Sequence, residues 1–276
     1  MPGGGIAPPA WPGDRYAAGL LAGKVVLVSG GTSGVGAAIA LAAGAAGARA
    51  VAVTGRKPEA GARVVGLLRD RKVDAEFFPV DLADVAQAKA SVSTTVGAFG
   101  QVDCVVNAAG LTSRGSMLDT TEELFDEHLA VNLKSPWFIM AETIRHLTGR
   151  GAPGSIVNVI SISELGGYSF LAPYVAAKAG LAGATRQAAH AHRFDRIRIN
   201  GLDIGWTATE AEDAVQRGSH GGNDNWLAEA DAAAPMGRIN RPDDLAEMVV
   251  FLLSERSGVV TGSVIDWDQT VQGGQG

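Results

Sequence analysis

The sequence has a single cysteine among 276 residues, so the chain cannot form an internal disulfide. A chain without disulfides is typical of a reducing compartment, and the sequence therefore favours a cytoplasmic location. Cys104 lies in the apolar run from Val102 to Val106, which indicates a buried structural thiol in preference to a nucleophile.

Positive charge is also scarce, because 23 lysine and arginine residues face 29 acidic residues, giving a formal net charge of −6. Without a compact basic run, this composition argues against a nucleic-acid partner. The five histidines show no metal-ligand spacing, and His190 and His192, two apart, diverge around a helix. We therefore expect no metal site, and histidines that are polar surface residues.

No stretch of the sequence is long and apolar enough to predict a membrane span, since the run from 37 to 53 is mostly alanine and glycine and contains Arg49. The first 22 residues are rich in glycine, proline and alanine, and lack a basic region followed by an apolar core. They are predicted to be a flexible extension and not a signal peptide. Residues 272–276 are predicted to be a flexible tail.

Short runs rich in β-branched residues alternate with alanine-rich segments of helical length. The strand candidates are Lys24–Ser29, Ala50–Thr54, Glu76–Val80, Val102–Asn107, Ser155–Ile160 and Ile197–Leu202, and the helix candidates are 34–46, 59–71, 84–98, 121–148 and 173–192. This alternation predicts a doubly wound α/β fold, with a parallel sheet of about seven strands covered by helices on both faces. We expect one domain over residues 23–271.

Residues 206–240 interrupt the alternation, and Gly218 to Asn225 form a polar stretch. A long irregular insertion in a compact domain is usually a lid or a binding loop. We therefore expect this segment to contribute to a substrate pocket.

Tyr174 and Lys178 stand four residues apart, and Ser161 lies 13 residues before the tyrosine at the end of an apolar run. Pro173 suits the first turn of a helix, where the i,i+4 spacing places the phenol and the ammonium on one face. A nearby cation lowers the pKa of a tyrosine from its usual value near ~10, which makes the phenol a usable proton donor and acceptor. By itself, the pair also fits a partly buried tyrosine beside a solvated lysine.

A glycine-rich turn follows the first predicted strand and contains Gly30, Thr32, Ser33, Gly34, Val35 and Gly36. Glycines at a strand-to-helix turn let the backbone approach a pyrophosphate, and the helix N-terminus supplies N–H groups and a positive dipole. The Gly-Lys-Ser/Thr of a nucleoside-triphosphate loop is missing. In the first βα turn of a doubly wound fold, this pattern predicts a dinucleotide site.

The end of the second strand is expected to meet the adenosine ribose of such a dinucleotide. An acidic residue there indicates NAD, whereas an arginine accommodates the 2′-phosphate of NADP. The sequence has Thr54-Gly55-Arg56-Lys57, with two cations and no carboxylate. Arg56 therefore favours NADP(H), with NAD(H) as the alternative because the same arginine can lie on the surface or stack on adenine.

Together these residues resemble the short-chain dehydrogenase/reductase family over nearly all of residues 20–270. The family motifs are matched by Gly30-x-x-x-Gly34-x-Gly36, Asp81-Leu82, Asn107-Ala108-Ala109-Gly110, Ile204-Gly205-x-x-x-Thr209 and Thr261-Gly262. Asn132, Ser161, Tyr174 and Lys178 occupy the four catalytic positions of the family. Three departures are Ser29 for the usual threonine, Ile204 for the usual proline, and Gln269-Thr270 for a glycine pair.

The resemblance implies a Rossmann-fold oxidoreductase that interconverts a secondary alcohol and a ketone by hydride transfer with NAD(P)(H). Tyr174 would act as the general acid or base, Lys178 would lower its pKa and bind the nicotinamide ribose, and Ser161 would steady the developing alkoxide. The cofactor-binding residues would be Gly30, Thr32, Ser33, Gly34, Val35, Gly36, Arg56, Asp81, Leu82, Asn107, Ala108, Gly110, Tyr174, Lys178, Gly205, Thr207 and Thr209. Homo-oligomers, dimers or tetramers, are common in the family and are expected here.

Asn132 allows a further prediction, because Pro136 lies four residues later and has no N–H to donate to the Asn132 carbonyl. A kink in the helix predicted over 121–148 would aim this carbonyl at Lys178. This agrees with the proton relay through water that the family resemblance implies. A kink that serves packing alone is the alternative.

The substrate pocket is expected to use the loop from Leu111 to Arg114, residues 163–170 and the insertion. Its apolar wall would comprise Tyr168, Phe170, Trp206 and Trp226, and its hydroxyl-binding groups Ser163, Glu164 and His220. These residues fit a sugar, a cyclic alcohol or a hydroxy-lipid precursor. The main rival is a catalytically silent dinucleotide-sensing protein on the same fold, while a serine hydrolase is disfavoured because Ser161 lacks a Gly-x-Ser-x-Gly setting.

Overall fold

The computed structural model describes residues 5–13, 16, 19–219 and 224–271. One parallel sheet runs through them, with the strand order β3-β2-β1-β4-β5-β6-β7. The strands are β1 (Val25–Ser29), β2 (Ala50–Gly55), β3 (Asp74–Pro79), β4 (Cys104–Asn107), β5 (Gly154–Val159), β6 (Ile197–Ile204) and β7 (Val264–Trp267). The predicted doubly wound α/β fold is confirmed. The strand order reverses direction between β1 and β4, which opens a crevice at their carboxyl ends.

Helices cover both faces of the sheet. The α-helices of the described residues are α1 (Gly34–Ala45), α2 (Pro58–Arg69), α3 (Val85–Phe99), α4 (Glu122–Leu129), α5 (Ser135–Arg150), α6 (Ala172–His192), α7 (Glu210–Ser219), α8 (Trp226–Ala233) and α9 (Pro242–Leu253). One core cluster joins the sheet to α1, α2 and α9, and a second joins it to α3, α5 and α6. Along β1, Val26 and Val28 belong to the first cluster and Leu27 to the second, as the two-residue period of a strand requires.

Local signals account for several helix ends. The Asp84 carboxylate accepts hydrogen bonds from the amides of Ala86 and Gln87 and so caps α3. Gly100 ends the same helix in the left-handed conformation, at φ 79°. Cys104 is buried, and burial raises the pKa of its thiol to about 12, which fits the structural role predicted for it.

The helix predicted over 121–148 is interrupted. A π-helical turn, Ala130–Lys134, separates α4 from α5, and the Ser135 N–H donates to the Ala130 carbonyl. Pro136 explains the interruption, since it cannot donate the next α-helical hydrogen bond. The expected kink is therefore a π-helical turn, and it contains Asn132.

The insertion predicted to be irregular contains two helices. We call α7 and α8 the lid helices. Trp226 and Ala230 of α8 pack with Ala208 and Ile239 in a small separate core, which gives this segment order of its own. Strand β7 and helix α9 were not among the candidates predicted from the sequence.

The segment from Gly5 to Gly13 lies against the domain. Ile6 packs against the small core of the lid, and the Arg71 guanidinium lies 5.6 Å from the centroid of the Trp11 ring. The first four residues of the predicted extension and the predicted tail at 272–276 fall outside the described residues.

Candidate active site

The four residues predicted to be catalytic come from separate elements near the carboxyl edge of the sheet. Ser161 follows β5, Tyr174 and Lys178 lie in the first two turns of α6, and Asn132 lies in the π-helical turn. All four are buried, and the Lys178 Nζ atom lies 5.7 Å from the centroid of the Tyr174 ring. The predicted common face of the phenol and the ammonium is thus present.

Lys178 is held by the backbone of the sheet. Its Nζ donates to the Val159 carbonyl at the end of β5, across 2.8 Å. Burial lowers the pKa of Lys178 to about 8, and the nearby Asp203 carboxylate opposes that shift. The ammonium is therefore less strongly retained than on a solvated lysine.

Tyr174 does not show the lowered pKa predicted from the sequence. Burial raises the pKa of Tyr174 to about 12, a hydrogen bond with the Ser161 hydroxyl opposes this, and the charge of Asp203 adds to it. The predicted direction was wrong, because the loss of hydration destabilises the phenolate more than the hydrogen bond with Ser161 stabilises it.

Ser161 is tied to Ser163. The Ser161 hydroxyl donates to Ser163 Oγ at 3.1 Å and accepts from the Ser163 N–H at 3.2 Å. Ser163 is only 5% exposed, so its hydroxyl has little contact with solvent. Through the hydrogen bond from Ser161, it orients the Ser161 hydroxyl.

Asn132 clamps the loop after β4. Its Oδ1 accepts from the Leu111 N–H at 2.9 Å, and its Nδ2 donates to the Leu111 carbonyl at 3.0 Å. The same Nδ2 lies 3.2 Å from His128 Nδ1. Because Nδ2 can only donate, His128 Nδ1 accepts, and the imidazole proton resides on Nε2, which faces the Ser113 carbonyl at 3.0 Å.

His128 was missed by the sequence reasoning, which expected surface histidines. It is fully buried, its ring meets that of Tyr174 edge-on at 6.3 Å, and burial lowers its pKa. The available signal was its position four residues before Asn132, which places both on one helix face.

Asp203 was missed as well. It lies in β6, is fully buried, and both its carboxylate oxygens lack a hydrogen-bond partner among the described residues. Burial, with Glu164 and Asp266 nearby, raises the pKa of Asp203 to about 7. A lone acidic residue in the otherwise largely apolar run 197–204 was the signal in the sequence.

The glycine turn is built for close backbone packing. Gly30 has φ 79° and Gly34 φ 51°, a region that favours glycine. A Cβ on Gly36 would lie 2.1 Å from the Gly30 carbonyl oxygen, so only glycine allows α1 to start so close to β1. No acidic residue lies in the first turn of α1, and the Gly34 N–H instead donates to the Glu210 carboxylate at 3.1 Å.

Other predicted cofactor residues border the same edge. Arg56 is exposed directly after β2, whereas Thr54 Oγ1 and Asn107 Oδ1 are buried without hydrogen-bond partners among the described residues. The Asp81 carboxylate accepts from the Ala83 N–H, and Leu82 is buried. Unpaired polar atoms beside a glycine turn and a helix N-terminus fit a nicotinamide dinucleotide laid across this edge.

The segment after β6 is arranged by its own hydrogen bonds. A Cβ on Gly205 would lie 1.8 Å from Asp268 Oδ1, which explains the glycine. Thr207 donates to the Gly205 carbonyl at 2.8 Å, and Thr209 Oγ1 accepts from the Glu212 N–H at the start of α7.

The predicted substrate residues separate into two groups. The ring centroids of Tyr168 and Phe170 lie 5.9 Å apart with the rings tilted by 54°, and those of Trp206 and Trp226 lie 6.0 Å apart. Tyr168, Phe170 and Trp206 are between 39% and 45% exposed, but Trp226 is only 5% exposed and belongs to the core of the lid, not to a pocket wall.

Of the two other hydroxyl-binding candidates, only one is described, and it is engaged in another contact. Glu164 is nearly buried and pairs with Arg186 at 3.9 Å, and His220 lies outside the described residues.

Across the described ranges, no cluster of three or more histidine, cysteine, aspartate or glutamate side chains is arranged to hold a metal ion. In that same part of the chain, every helix is too short or too polar to cross a bilayer.

Known proteins resemble this chain along most of its length. A family model described as enoyl-(acyl carrier protein) reductase matches residues 30–271. An uncharacterized oxidoreductase of Thermotoga maritima is 33% identical over 89% of this chain and 96% of its own. A 2,5-dichloro-2,5-cyclohexadiene-1,4-diol dehydrogenase of Sphingobium indicum is 34% identical over 90% and 96%. The crystal structure of a putative short-chain alcohol dehydrogenase from Sinorhizobium meliloti superposes with a TM-score of 0.82 at 30% identity, covering 90% of this chain and 96% of that one.

Proposed function

The chain belongs to the short-chain dehydrogenase/reductase family and is a NAD(P)(H)-dependent oxidoreductase acting on CH–OH groups, and we propose that Tyr174 is the general acid/base of this reaction. The supporting observation is the convergence of a buried phenol, a buried ammonium and a serine hydroxyl at the carboxyl edge of the sheet, where the glycine turn also lies. The reaction interconverts a secondary alcohol and a ketone.

A bound nicotinamide dinucleotide supplies the hydride donor or acceptor. In carbonyl reduction, the Tyr174 hydroxyl donates its proton to the substrate oxygen, and in alcohol oxidation the phenolate removes that proton. Ser161 Oγ now donates to Ser163 Oγ, and by rotating its O–H it donates to the substrate oxygen instead. Ser163 keeps Ser161 Oγ in place through its backbone N–H.

Lys178 uses one of its three N–H groups on the Val159 carbonyl, which leaves two for the nicotinamide ribose and for water. The Asn132 carbonyl lacks its α-helical donor because residue 136 is proline. We assign to Asn132 and Lys178 the ends of a water relay that returns the proton to Tyr174. Full turnover in Asn132→Ala, with turnover lost in Tyr174→Phe, would contradict the relay.

The cofactor favoured by this proposal is NADP(H). Arg56 is exposed directly after β2, and the sequence Thr54-Gly55-Arg56-Lys57 offers no carboxylate for a ribose 2′-hydroxyl. A larger thermal shift with NADPH than with NADH, reduced in Arg56→Ala, is the expected result. A larger shift with NADH refutes the NADP assignment.

The substrate is proposed to be a small alcohol or ketone that carries a ring. Its support is the half-exposed aromatic pair Tyr168 and Phe170, the exposed Trp206, and the cyclic diol named for the Sphingobium indicum relative.

The enzyme is also proposed to form a homo-oligomer, as the exposed aromatic residues Phe125 on α4 and Trp137 on α5 favour. Sedimentation velocity tests that assembly.

The decisive experiment follows absorbance of the reduced nicotinamide while cyclic and acyclic alcohols and ketones are supplied. The wild type is expected to turn over at least one of them, and Tyr174→Phe to lose about 10²-fold to 10⁴-fold in kcat while still binding the cofactor. Cofactor binding by the wild type without turnover across the panel would favour the dinucleotide-sensing alternative.

A further inference from the structure

Asp203 faces the helix that carries the proposed acid/base. Ile199, Gly201 and Asp203 share one face of β6 by the two-residue period, and Ile199 packs in the core cluster that contains Leu181 of α6. On the neighbouring strand, Val159 pairs with Leu202, and the Val159 carbonyl holds the Lys178 ammonium. The carboxyl group therefore lies next to the site, beneath α6.

Two observations distinguish the Asp203 carboxyl group from the charged groups of the protein surface. It is fully buried, and neither oxygen has a hydrogen-bond partner among the described residues. A buried, unpaired carboxylate is costly, and such groups are retained where they serve a purpose or are compensated.

The groups that act electrostatically on Asp203 come from each element around it. They are Lys178 and Arg186 on α6, Glu164 after β5, and Asp266 on β7, while Tyr174 on α6 is affected by Asp203 in turn. Glu164 is already paired with Arg186 at 3.9 Å, and Asp266 is exposed. Lys178 is thus the buried cation among these groups, and Asp203 is the carboxylate whose charge acts on it.

We infer that Asp203 is a positioning residue whose charge keeps Lys178 in its ammonium form and also sets the pH range in which Tyr174 exchanges its proton. This inference rests on the proposed function of Tyr174 and Lys178. It assigns Asp203 no contact with the substrate or the cofactor.

The direction of the effect follows from the sign of the charge. The carboxylate stabilises the ammonium and destabilises the phenolate, so it raises the pKa of both Lys178 and Tyr174. Asp203→Asn has nearly the same shape but no charge. It should therefore lower both pKa values and leave the packing in place.

The kinetic test is the pH profile of kcat/KM for alcohol oxidation in the wild type and in Asp203→Asn. Both limbs are expected to move to lower pH in the variant, by about one pH unit. The dissociation constant for the reduced cofactor and the melting temperature at pH 6 show that the variant is folded. A loss of activity by the same factor at every pH would indicate a merely structural role and overturn the inference.

Asp266→Asn is the matched control. It removes the carboxylate that pairs with Asp203 in the sheet register, but this one is exposed and screened by solvent. The two limbs of its pH profile are expected to stay close to those of the wild type. An equal shift in Asp266→Asn and Asp203→Asn would assign the effect to general charge and refute the specific role of Asp203.

A second readout does not depend on turnover. In protein labelled with ¹³C at the lysine ε-carbon, the Lys178 resonance is identified by its loss in Lys178→Met, and its titration midpoint is compared with and without Asp203→Asn. A lower midpoint in Asp203→Asn supports the inference even if no substrate is found, and equal midpoints refute it. Failure of the proposed function is thereby separated from failure of this inference.

Discussion

The Glu210 carboxylate accepts a hydrogen bond from the Gly34 N–H across 3.1 Å, which joins the first residue of a lid helix to the first residue of α1. Glu210 also pairs with Arg63 at 3.6 Å. The helix N-terminus proposed to receive the dinucleotide phosphates therefore already binds an anionic group of the same chain. We expect the phosphates of a cofactor bound there to compete with this carboxylate for the Gly34 N–H.

Glu210→Gln is expected to tighten cofactor binding, because the negative charge that competes for the α1 N-terminus is removed. An interaction of about 1 kcal/mol at a helix N-terminus corresponds to a roughly fivefold lower dissociation constant for NADPH. Fluorescence titration measures it. Glu212→Gln is the control, since Glu212 lies on the same helix but bonds Trp206 and Gln216. Unchanged or weaker binding in Glu210→Gln would show that this carboxylate does not compete.

Gly36→Ala is expected to abolish cofactor binding and to lower the melting temperature, because the new Cβ would lie 2.1 Å from the Gly30 carbonyl oxygen. Gly97→Ala is the matched control on α3, where no other atom lies within 4 Å of the new Cβ. Alanine is favoured over glycine in a helix by about 1 kcal/mol, so the control should be slightly more stable than the wild type. Calorimetry and cofactor titration measure both. Normal binding in Gly36→Ala would contradict the packing at this turn.

His128→Gln is expected to reduce the loss of stability in acid. The pKa of His128 is lowered in the folded protein, so between the unfolded value near ~6.5 and the folded value only the unfolded chain takes up the proton. Stability is therefore present above about pH 6.5 and falls as the pH drops towards the folded pKa, by at most about 1.4 kcal/mol per pH unit for this group. Denaturant titrations at pH 5 and pH 8 should show a smaller difference in the variant. An unchanged difference would mean that His128 does not titrate on unfolding in this range.

Ile6→Asp is expected to loosen the lid helices. The Ile6 side chain packs against the small core around Trp226, and its backbone hydrogen-bonds Asp213 of α7. Losing about 1–2 kcal/mol of apolar burial lowers the melting temperature by a few degrees in a chain of this size. Limited proteolysis within 206–240 should become faster. Ala7→Asp adds the same charge at the exposed neighbouring position and should change neither measurement.

Strand and helix positions near the glycine turn were predictable because buried parallel strands are apolar runs of β-branched residues and their helices start at glycine, proline or capping side chains. Helix α9 begins at Pro242 and so carries a start signal of this kind, which the sequence analysis did not use. The four-residue strand Val264–Trp267 is short and only partly buried, so its sequence pattern alone is weak.

The sequence by itself determined the parallel fold, the glycine turn and the order of Asn132, Ser161, Tyr174 and Lys178, because each depends on residue type and spacing within one or two elements. Only the tertiary structure decided the electrostatics of the site. Burial of Tyr174, and the approach of Asp203 from β6, depend on which side chains the sheet and α6 bring together, and no local pattern encodes the resulting loss of solvation. The hydrogen bond between the Gly34 N–H and the Glu210 carboxylate likewise depends on the tertiary structure. It spans 3.1 Å, although the two residues are 176 apart in the chain.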